Sequence, residues 1–283
     1  MQKTPSAMIY CDQDYARVQL YTNYFRYQTD SALFCFEIKK DYGISLPKSP
    51  VGGFCFFGEN QRKIIQEIQQ LETELHKHDV NKLKVTTTPE YYPGHITKDV
   101  MLAAGFQEEV SEISHFISIE NNKWTHRLHP MEKRILKKRT DFTISPDQNL
   151  EEVHEFIAQC RIAQGLTISI ELEIFLNLFE TFPSAYKIFS ARKHGKLISA
   201  VVTVAATDQI AYYFLPATDP AHKTGSPMVH LINYICEWYQ QQGFKLLDLG
   251  ISSEQGKPQT SLITFKERMG GIRTSRITYT KDL

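Results

Sequence analysis

Two residues that could do chemistry lie where an apolar strand is predicted to end. Asp248 and Gly250 fall at the carboxyl end of the run 244–251 (FKLLDLGI). A half-buried carboxylate at this place can have a raised pKa and can accept a proton from an attacking amine. The structural alternative is that Asp248 caps a neighbouring loop while Gly250 admits a sharp turn. We expect Asp248 to line a cleft in either case.

The start of a helix precedes this strand and could bind an anion. Residues 219–225 (DPAHKTG) interrupt the chain, and Ser226 and Pro227 then have the types of an N-cap and a first helical residue. Gly225 and Ser226 would present backbone N–H groups and a hydroxyl to a phosphate-bearing ligand. As an N-cap, Ser226 also has a purely structural explanation.

A basic run in the middle of the chain is the third feature with a chemical interpretation. Residues 123–140 (KWTHRLHPMEKRILKKRT) carry seven Lys or Arg and only Glu132 in opposition. Arg134 and Lys138 could hold phosphates of tRNA, coenzyme A or a nucleotide-linked precursor. A solvated helix face is the ordinary explanation of such a run.

The spacing of apolar residues predicts the strands and helices around these residues. Residues 209–218 and 244–251 predict two parallel strands, because a helix from Ser226 to Gly243 joins them. A polar loop beginning at Ser252 then leads into a second helix at 261–270. Parallel strands with a helix N-terminus beside their carboxyl ends form a natural cradle for a phosphate-bearing ligand.

The first half of the chain repeats this order of elements. Residues 51–105 predict a strand, a long helix, a strand and a short helix, as residues 209–271 do. We therefore predict an α/β fold of the α+β type, with two tandem units that each have a mixed central sheet flanked by helices. The predicted limits are 1–122 for the first unit, 123–145 for a basic linker or helix, and 146–283 for the second unit with the cleft.

Two details of the first half bear on this prediction. Gly53 follows Gly52 in a predicted strand at 51–57, where close strand packing explains a glycine as well as substrate binding does. Residues 41–50 contain a glycine and two prolines and predict a loop or lid.

Composition narrows the class of protein. The chain has 32 basic and 32 acidic residues, which argues against wholesale binding of nucleic acid or membrane. Its five cysteines are scattered, and no pair has zinc spacing, so we expect reduced thiols and no metal. The N-terminus lacks the apolar core of a signal peptide, and no apolar run is long enough to span a bilayer. The expected location is the cytoplasm.

Three stretches resemble a known family. They are LPKSPVGGFCFF in the first half, MEKRILKKRT before the second, and DLGISSEQGKPQTSLITFKERMGG near the end. With the order of elements, they resemble the Gcn5-related N-acetyltransferase (GNAT) fold, and in particular its tandem FemABX-like branch. The last stretch resembles that branch's strand, D-x-G, variable loop, and F-K pair followed by glycine.

The resemblance implies a bacterial N-acyltransferase and assigns roles to further residues. Phe265 and Lys266 match the F-K pair, whose lysine would stabilise oxyanion charge, although a solvated lysine on an amphipathic helix is the alternative. Of the adjacent strand tyrosines Tyr212 and Tyr213 we favour Tyr213, whose hydroxyl could protonate a leaving thiolate or hold the acyl carbonyl, although packing in the core is the commoner role of a strand tyrosine. Gly225, Ser226, Gly250, Ser252 and Phe265 would contact the donor.

Donor, acceptor and assembly stay open at this point. The donor is acyl-coenzyme A or, as in Fem-type relatives, aminoacyl-tRNA, and the acceptor is a small-molecule or peptide-like amine. The loop DPAHKTGSPM has one glycine, and Pro227 removes a backbone N–H donor, which departs from the glycine-rich loop that binds coenzyme A. A degenerate, non-catalytic binding protein is therefore a third hypothesis, and a homodimer is one assembly that the sequence allows.

Overall fold

A computed structural model describes residues 8–58 and 60–283 and divides the chain into two compact units. Unit 1 comprises the residues through Ser114 together with Ile251–Gln259 and Thr274–Leu283. Unit 2 comprises His115–Gly250 and Thr260–Arg273. Neither unit is continuous in sequence. The limits 1–122, 123–145 and 146–283 describe the duplication and stay a prediction.

The helices and strands are numbered in chain order. The helices are α1 Gln13–Val18, α2 Gln61–His76, α3 Lys98–Ala103, α4 Lys123–Arg127, α5 Pro130–Leu136, α6 Leu150–Ile162, α7 Leu172–Thr181, α8 Pro227–Gln241 and α9 Thr260–Arg268. The strands are β1 Tyr24–Gln28, β2 Ala32–Lys39, β3 Tyr42–Ile44, β4 Gly53–Phe56, β5 Lys82–Thr86, β6 Gln107–Ser118, β7 Thr143–Asp147, β8 Tyr186–Lys193, β9 Lys196–Ala205, β10 Ile210–Thr218, β11 Leu246–Ile251, β12 Ser253–Glu254, β13 Lys257–Pro258 and β14 Ile272–Asp282.

Unit 1 has a mixed sheet in the order β1-β2-β3-β5-β14, with β4 also paired to β2. The β3–β5 pair is parallel, and the other pairs are antiparallel. Apolar side chains of β2 and β4 pack with the buried face of α2, where Ile68, Leu71 and Leu75 recur at helical spacing. The segment predicted as a loop or lid at 41–50 contains the strand β3, so that prediction was incomplete.

Unit 2 has a mixed sheet in the order β11-β10-β9-β8-β7. β8 and β9 form a hairpin around His194 and Gly195, whose φ values of 51° and 78° suit a tight two-residue turn. α8 joins β10 to β11, and the strands are parallel, as its crossover requires. Leu231, Ile232 and Ile235 bury one face of α8 on the sheet.

The predicted fold class is confirmed, since each unit has a mixed sheet flanked by helices. Two local features differ from the predictions made from the sequence. Ser226 precedes α8, but it has a left-handed φ of 51°, and its side chain makes no capping hydrogen bond. The basic segment forms two short helices, α4 and α5, rather than one. Along the described residues, none of the helices is long and apolar enough to cross a membrane.

Candidate functional site

The pairing between β10 and β11 ends partway along both strands of unit 2. Their parallel pairing runs from Ile210 opposite Leu246 to Tyr212 opposite Asp248, and both strands continue past this register. β10 also has an irregularity between Tyr213 and Leu215 in its pairing with β9. Such a bulge bends a strand, which fits the end of the β10–β11 pairing just before it. Asp248 lies at the point where this pairing ends.

A short chain of hydrogen bonds begins at Asp248. Its Oδ1 accepts the backbone N–H of Gly250 at 2.7 Å, and the Gly250 carbonyl accepts from Lys266 Nζ at 3.0 Å. Both ionisable side chains are buried, Lys266 to 4% exposure. A buried cation interacts more strongly with developing negative charge than an exposed cation does, because the protein interior screens the interaction less than water does. The structure therefore brings together three residues predicted from the sequence.

Gly250 has a conformation that a side chain would disturb. Its φ is +69°, and a Cβ atom would lie 3.0 Å from the Tyr212 hydroxyl. The glycine thus lets the β11 backbone pass close to Tyr212, the tyrosine that we did not favour. Tyr213 lies in the core of unit 2, and its hydroxyl donates to the sulfur of Met228 at 2.9 Å. Burial raises the pKa of Tyr213 well above its ordinary value.

His115 is a buried member of this region that the sequence analysis missed. Its Nε2 lies 3.8 Å from Glu267 Oε1 on α9, and its side chain is fully buried. Burial lowers the pKa of His115, and the charges of Lys266 and Arg273 lower it further, although Glu267 opposes them. A histidine beside the apolar residues Phe116 and Ile117 was the one available signal.

A pocket of about 440 Å³ opens at the start of α8. Ser226, Met228 and Phe265 are among its lining residues, so two of the predicted donor-contacting residues meet here. Met228 also carries the sulfur that accepts from Tyr213. We call this the α8 pocket. Its wall also contains an ion pair, in which Arg268 Nη2 lies 2.8 Å from Glu132 Oε1.

A second pocket, of about 820 Å³, shares Ser226 with the first. Lys138, Arg139, Asp141 and Gly225 line it, and we call it the basic pocket because cations outnumber the one carboxylate, which is paired with Lys193. The cations and the polar loop suit a phosphate group, and both acyl-coenzyme A and tRNA carry phosphate groups. This loop offers fewer backbone N–H donors than a glycine-rich loop does, because Pro227 has no N–H.

The remaining predicted residues lie elsewhere. Arg134 is exposed on α5 in unit 2. Gly53 and Ser252 are buried in unit 1. A Cβ atom on Gly53 would lie 2.7 Å from the Cys35 Cβ, so close packing of β4 on β2 explains this glycine. Substrate binding by Gly53 stays a prediction, as does donor binding by Ser252.

Comparisons with known proteins agree with the architecture. Residues 131–258 match the model of the Acetyltransferase (GNAT) domain. The chain is similar to the crystal structure of FemX, at 12% identity and a TM-score of 0.74, over 99% of this chain and 93% of that one. It is similar to L-PGS from Bacillus licheniformis at 10% identity and a TM-score of 0.57, over 97% and 87% of the two chains.

A tandem GNAT protein from the clavulanic acid biosynthesis pathway is also similar, at 10% identity and a TM-score of 0.53, over 90% of this chain and 81% of that one. No curated protein matches the sequence. At these identities the structural matches establish the fold. Residues 131–258 therefore match a GNAT domain, and the chain has the fold of FemX and of the tandem GNAT protein, which confirms the resemblance at the level of the fold.

Proposed function

We propose that unit 2 is an N-acyltransferase that moves an acyl group from a thioester or ester donor to an amine acceptor. The observation that carries the proposal is the buried Lys266 ammonium on the Gly250 carbonyl, where the pairing of β10 and β11 ends. The GNAT match over residues 131–258 and the FemX-like fold support it. Fold by itself does not fix function, so the proposal rests on this site.

The proposed reaction needs few groups. The acceptor nitrogen attacks the acyl carbonyl carbon, a C–N bond forms, and the C–S or C–O bond to the donor breaks. Lys266 stabilises the negative charge on the carbonyl oxygen. Asp248 takes the proton that the attacking amine loses, and Tyr213 is the candidate to protonate the leaving group.

Acyl-coenzyme A is our first candidate donor, and aminoacyl-tRNA is the second. Both carry phosphates, for which the basic pocket supplies Lys138 and Arg139. The proposed acceptor is a small-molecule or peptide-like amine, and the proposed location is the cytoplasm. The likeness to FemX and L-PGS supports an aminoacyl donor as much as an acyl one.

Two measurements test the donor class. Calorimetry with coenzyme A and acetyl-coenzyme A at low and moderate salt gives binding, and a thiol-release assay with a panel of amines gives turnover. Thiol release that depends on an added amine supports the acyl-coenzyme A donor. Transfer from aminoacyl-tRNA alone, with binding that weakens steeply as salt rises, supports the second donor. Turnover with neither donor class contradicts the proposal.

Replacing Lys138 by glutamine is expected to weaken donor binding roughly fivefold, because one exposed cation near a phosphate contributes about 1 kcal/mol in water. Calorimetry with the donor that binds the wild type measures this change. Lys133→Gln is the matched control, since Lys133 is an exposed lysine of the same basic segment. Equal weakening in both variants would show that general charge, and not the basic pocket, attracts the donor.

A further inference from the structure

A third pocket lies in unit 2, between the end of β7, the start of α6, the second half of α7 and the start of β8. We call it the α7 pocket. Its volume is about 520 Å³, within the range of about 300–1,000 Å³ that small-molecule sites have. None of the residues that line the α8 pocket or the basic pocket lines this one.

The sheet register places the α7 pocket apart from Asp248. On β9, Val204 pairs with Tyr186 of β8 on one side and with Tyr212 of β10 on the other. Tyr212 in turn pairs with Asp248 of β11. Three strand spacings, or about 14 Å, therefore separate the backbones of Tyr186 and Asp248. The α7 pocket is a separate site, and what it binds does not depend on the proposed function.

The pocket contains a buried hydroxyl that lacks a partner. Phe189 packs against Trp238 of α8, so Tyr186 and Ile188 face the other side of the sheet, where both line the pocket. Tyr186 is 3% exposed, and its hydroxyl makes no hydrogen bond within the part of the chain that the structure describes. Burial raises the pKa of Tyr186 well above its ordinary value, so the hydroxyl keeps its proton and is a donor. A buried donor without an acceptor is costly, and a ligand in the pocket can supply that acceptor.

The charged side chains around the pocket are already compensated. Asp147 Oδ2 accepts from Ser190 Oγ at 2.6 Å and from Arg192 Nη2 at 2.8 Å. Lys187 Nζ donates to a backbone carbonyl at 3.5 Å, and Glu180 is exposed to water. A charged ligand would therefore enter a largely apolar pocket without a dedicated counter-ion, which is costly. The pocket suits an uncharged ligand.

The rest of the wall favours a ring. The centroids of the Phe179 and Tyr186 rings lie 5.4 Å apart, with 50° between the ring planes. Leu150, Leu176 and Ile188 complete the apolar wall. Burial of apolar surface supplies most of the binding free energy in such pockets, and a single polar group fixes the orientation of the ligand. The neutral acceptor that best matches one phenolic donor is a carbonyl oxygen.

We propose that the α7 pocket binds an uncharged aromatic carbonyl compound, with its ring against Phe179 and its carbonyl oxygen on the Tyr186 hydroxyl. The apolar wall provides the affinity, and the hydroxyl selects ligands that carry an acceptor.

The probes are acetophenone and α-methylstyrene, which have the same shape and differ by a carbonyl oxygen in place of a methylene carbon. Ligand-observed NMR titrations of the full chain at pH 7 give the affinity of each probe. We expect the wild type to bind acetophenone saturably. Tyr186→Phe is expected to bind acetophenone roughly fivefold more weakly, the loss that follows removal of one hydrogen bond, and to bind α-methylstyrene at least as tightly as the wild type does.

Tyr239→Phe is the matched control. Tyr239 is a buried tyrosine of the same unit, and its hydroxyl forms a hydrogen bond with Thr203 Oγ1 at 2.7 Å. Loss of this paired hydroxyl is expected to lower the melting temperature and to keep the affinity for both probes. Tyr186→Phe is expected to keep the melting temperature, because its hydroxyl has no protein partner to lose.

Filling the pocket shows where the probes bind. Leu176→Trp adds bulk to the wall and is expected to weaken binding of both probes at least roughly tenfold. Leu172→Trp changes an exposed leucine of the same helix that does not line the pocket, and it is expected to bind both probes as the wild type does. If Leu176→Trp does not fold, the comparison of Tyr186→Phe with Tyr239→Phe still tests the assignment.

Three results would overturn the inference. One is the absence of saturable acetophenone binding up to the solubility limit. Another is a loss of affinity in Tyr186→Phe that is absent or is the same for both probes. The third is probe binding that a folded Leu176→Trp variant leaves unchanged, since the probes would then occupy another part of the protein.

Discussion

Replacing Lys266 by methionine is expected to lower kcat/KM for acyl transfer by roughly 100- to 1,000-fold, the loss that follows removal of one oxyanion-stabilising donor. Lys266 is buried, and its Nζ lies 3.0 Å from the Gly250 carbonyl oxygen. Methionine fills similar space and removes only the charge and the donor. Steady-state product formation with the donor that the wild type uses measures the effect, and circular dichroism checks folding.

Lys245→Met is the matched control, because Lys245 is an exposed lysine in the same unit. Its kcat/KM is expected to stay within about twofold of the wild type, since a surface substitution of this kind has little effect on structure. A folded Lys266→Met variant that keeps more than roughly a tenth of the wild-type kcat/KM would contradict the oxyanion role.

Gly271→Ala is expected to lower both stability and activity, because this glycine touches the backbone of Lys266. Gly270 ends α9 with a φ of +87°, and Gly271 N–H donates to the Lys266 carbonyl at 2.9 Å. A Cβ atom on Gly271 would lie 2.6 Å from that same carbonyl oxygen. Overpacking of this kind costs about 1–3 kcal/mol. The melting temperature is then expected to fall by roughly 5 °C. A 1 Å displacement of Lys266 would lower kcat/KM by about 100-fold.

Gly243→Ala separates the two effects. Gly243 ends α8 in the same manner, with a φ of +85°, and a Cβ atom there would meet nothing within 4 Å. We expect a loss of about 1 kcal/mol from the left-handed backbone alone, with kcat/KM unchanged. Thermal unfolding and steady-state kinetics on both variants test this difference. Equal activity of Gly271→Ala and Gly243→Ala would show that Lys266 tolerates displacement.

The arrangement of elements around the site could be predicted because it follows from local signals. The apolar run of β10, the helical spacing in α8 and the stop at Gly243 lie within one stretch of chain, and a helical crossover dictates that β10 and β11 are parallel. The position of Lys266 also had a signal. Ile263 and Lys266 are three residues apart on α9, and both are buried.

Other features depend on contacts that no local pattern encodes. Glu132 and Arg268 are 136 residues apart, yet they form one ion pair, so the single acidic residue of the basic segment pairs with a cation outside that segment. Ser226 has the residue type of an N-cap, but its left-handed φ keeps its hydroxyl from capping α8. His115 was missed because a single histidine in a strand carries no spacing information.

The division of unit 1 into three separate pieces of sequence has a consequence for synthesis of the protein. β5 pairs with β14 from Thr86 opposite Thr278 to Lys82 opposite Asp282, so one edge of β5 has its partner only when the C-terminus has been made. The chain emerges from the ribosome with its N-terminal residues first. One strand edge within the first hundred residues therefore stays unpaired until residues 274–283 have been synthesised. Premature termination near residue 270 would leave this edge open to pairing with other chains, which makes truncated products candidates for aggregation.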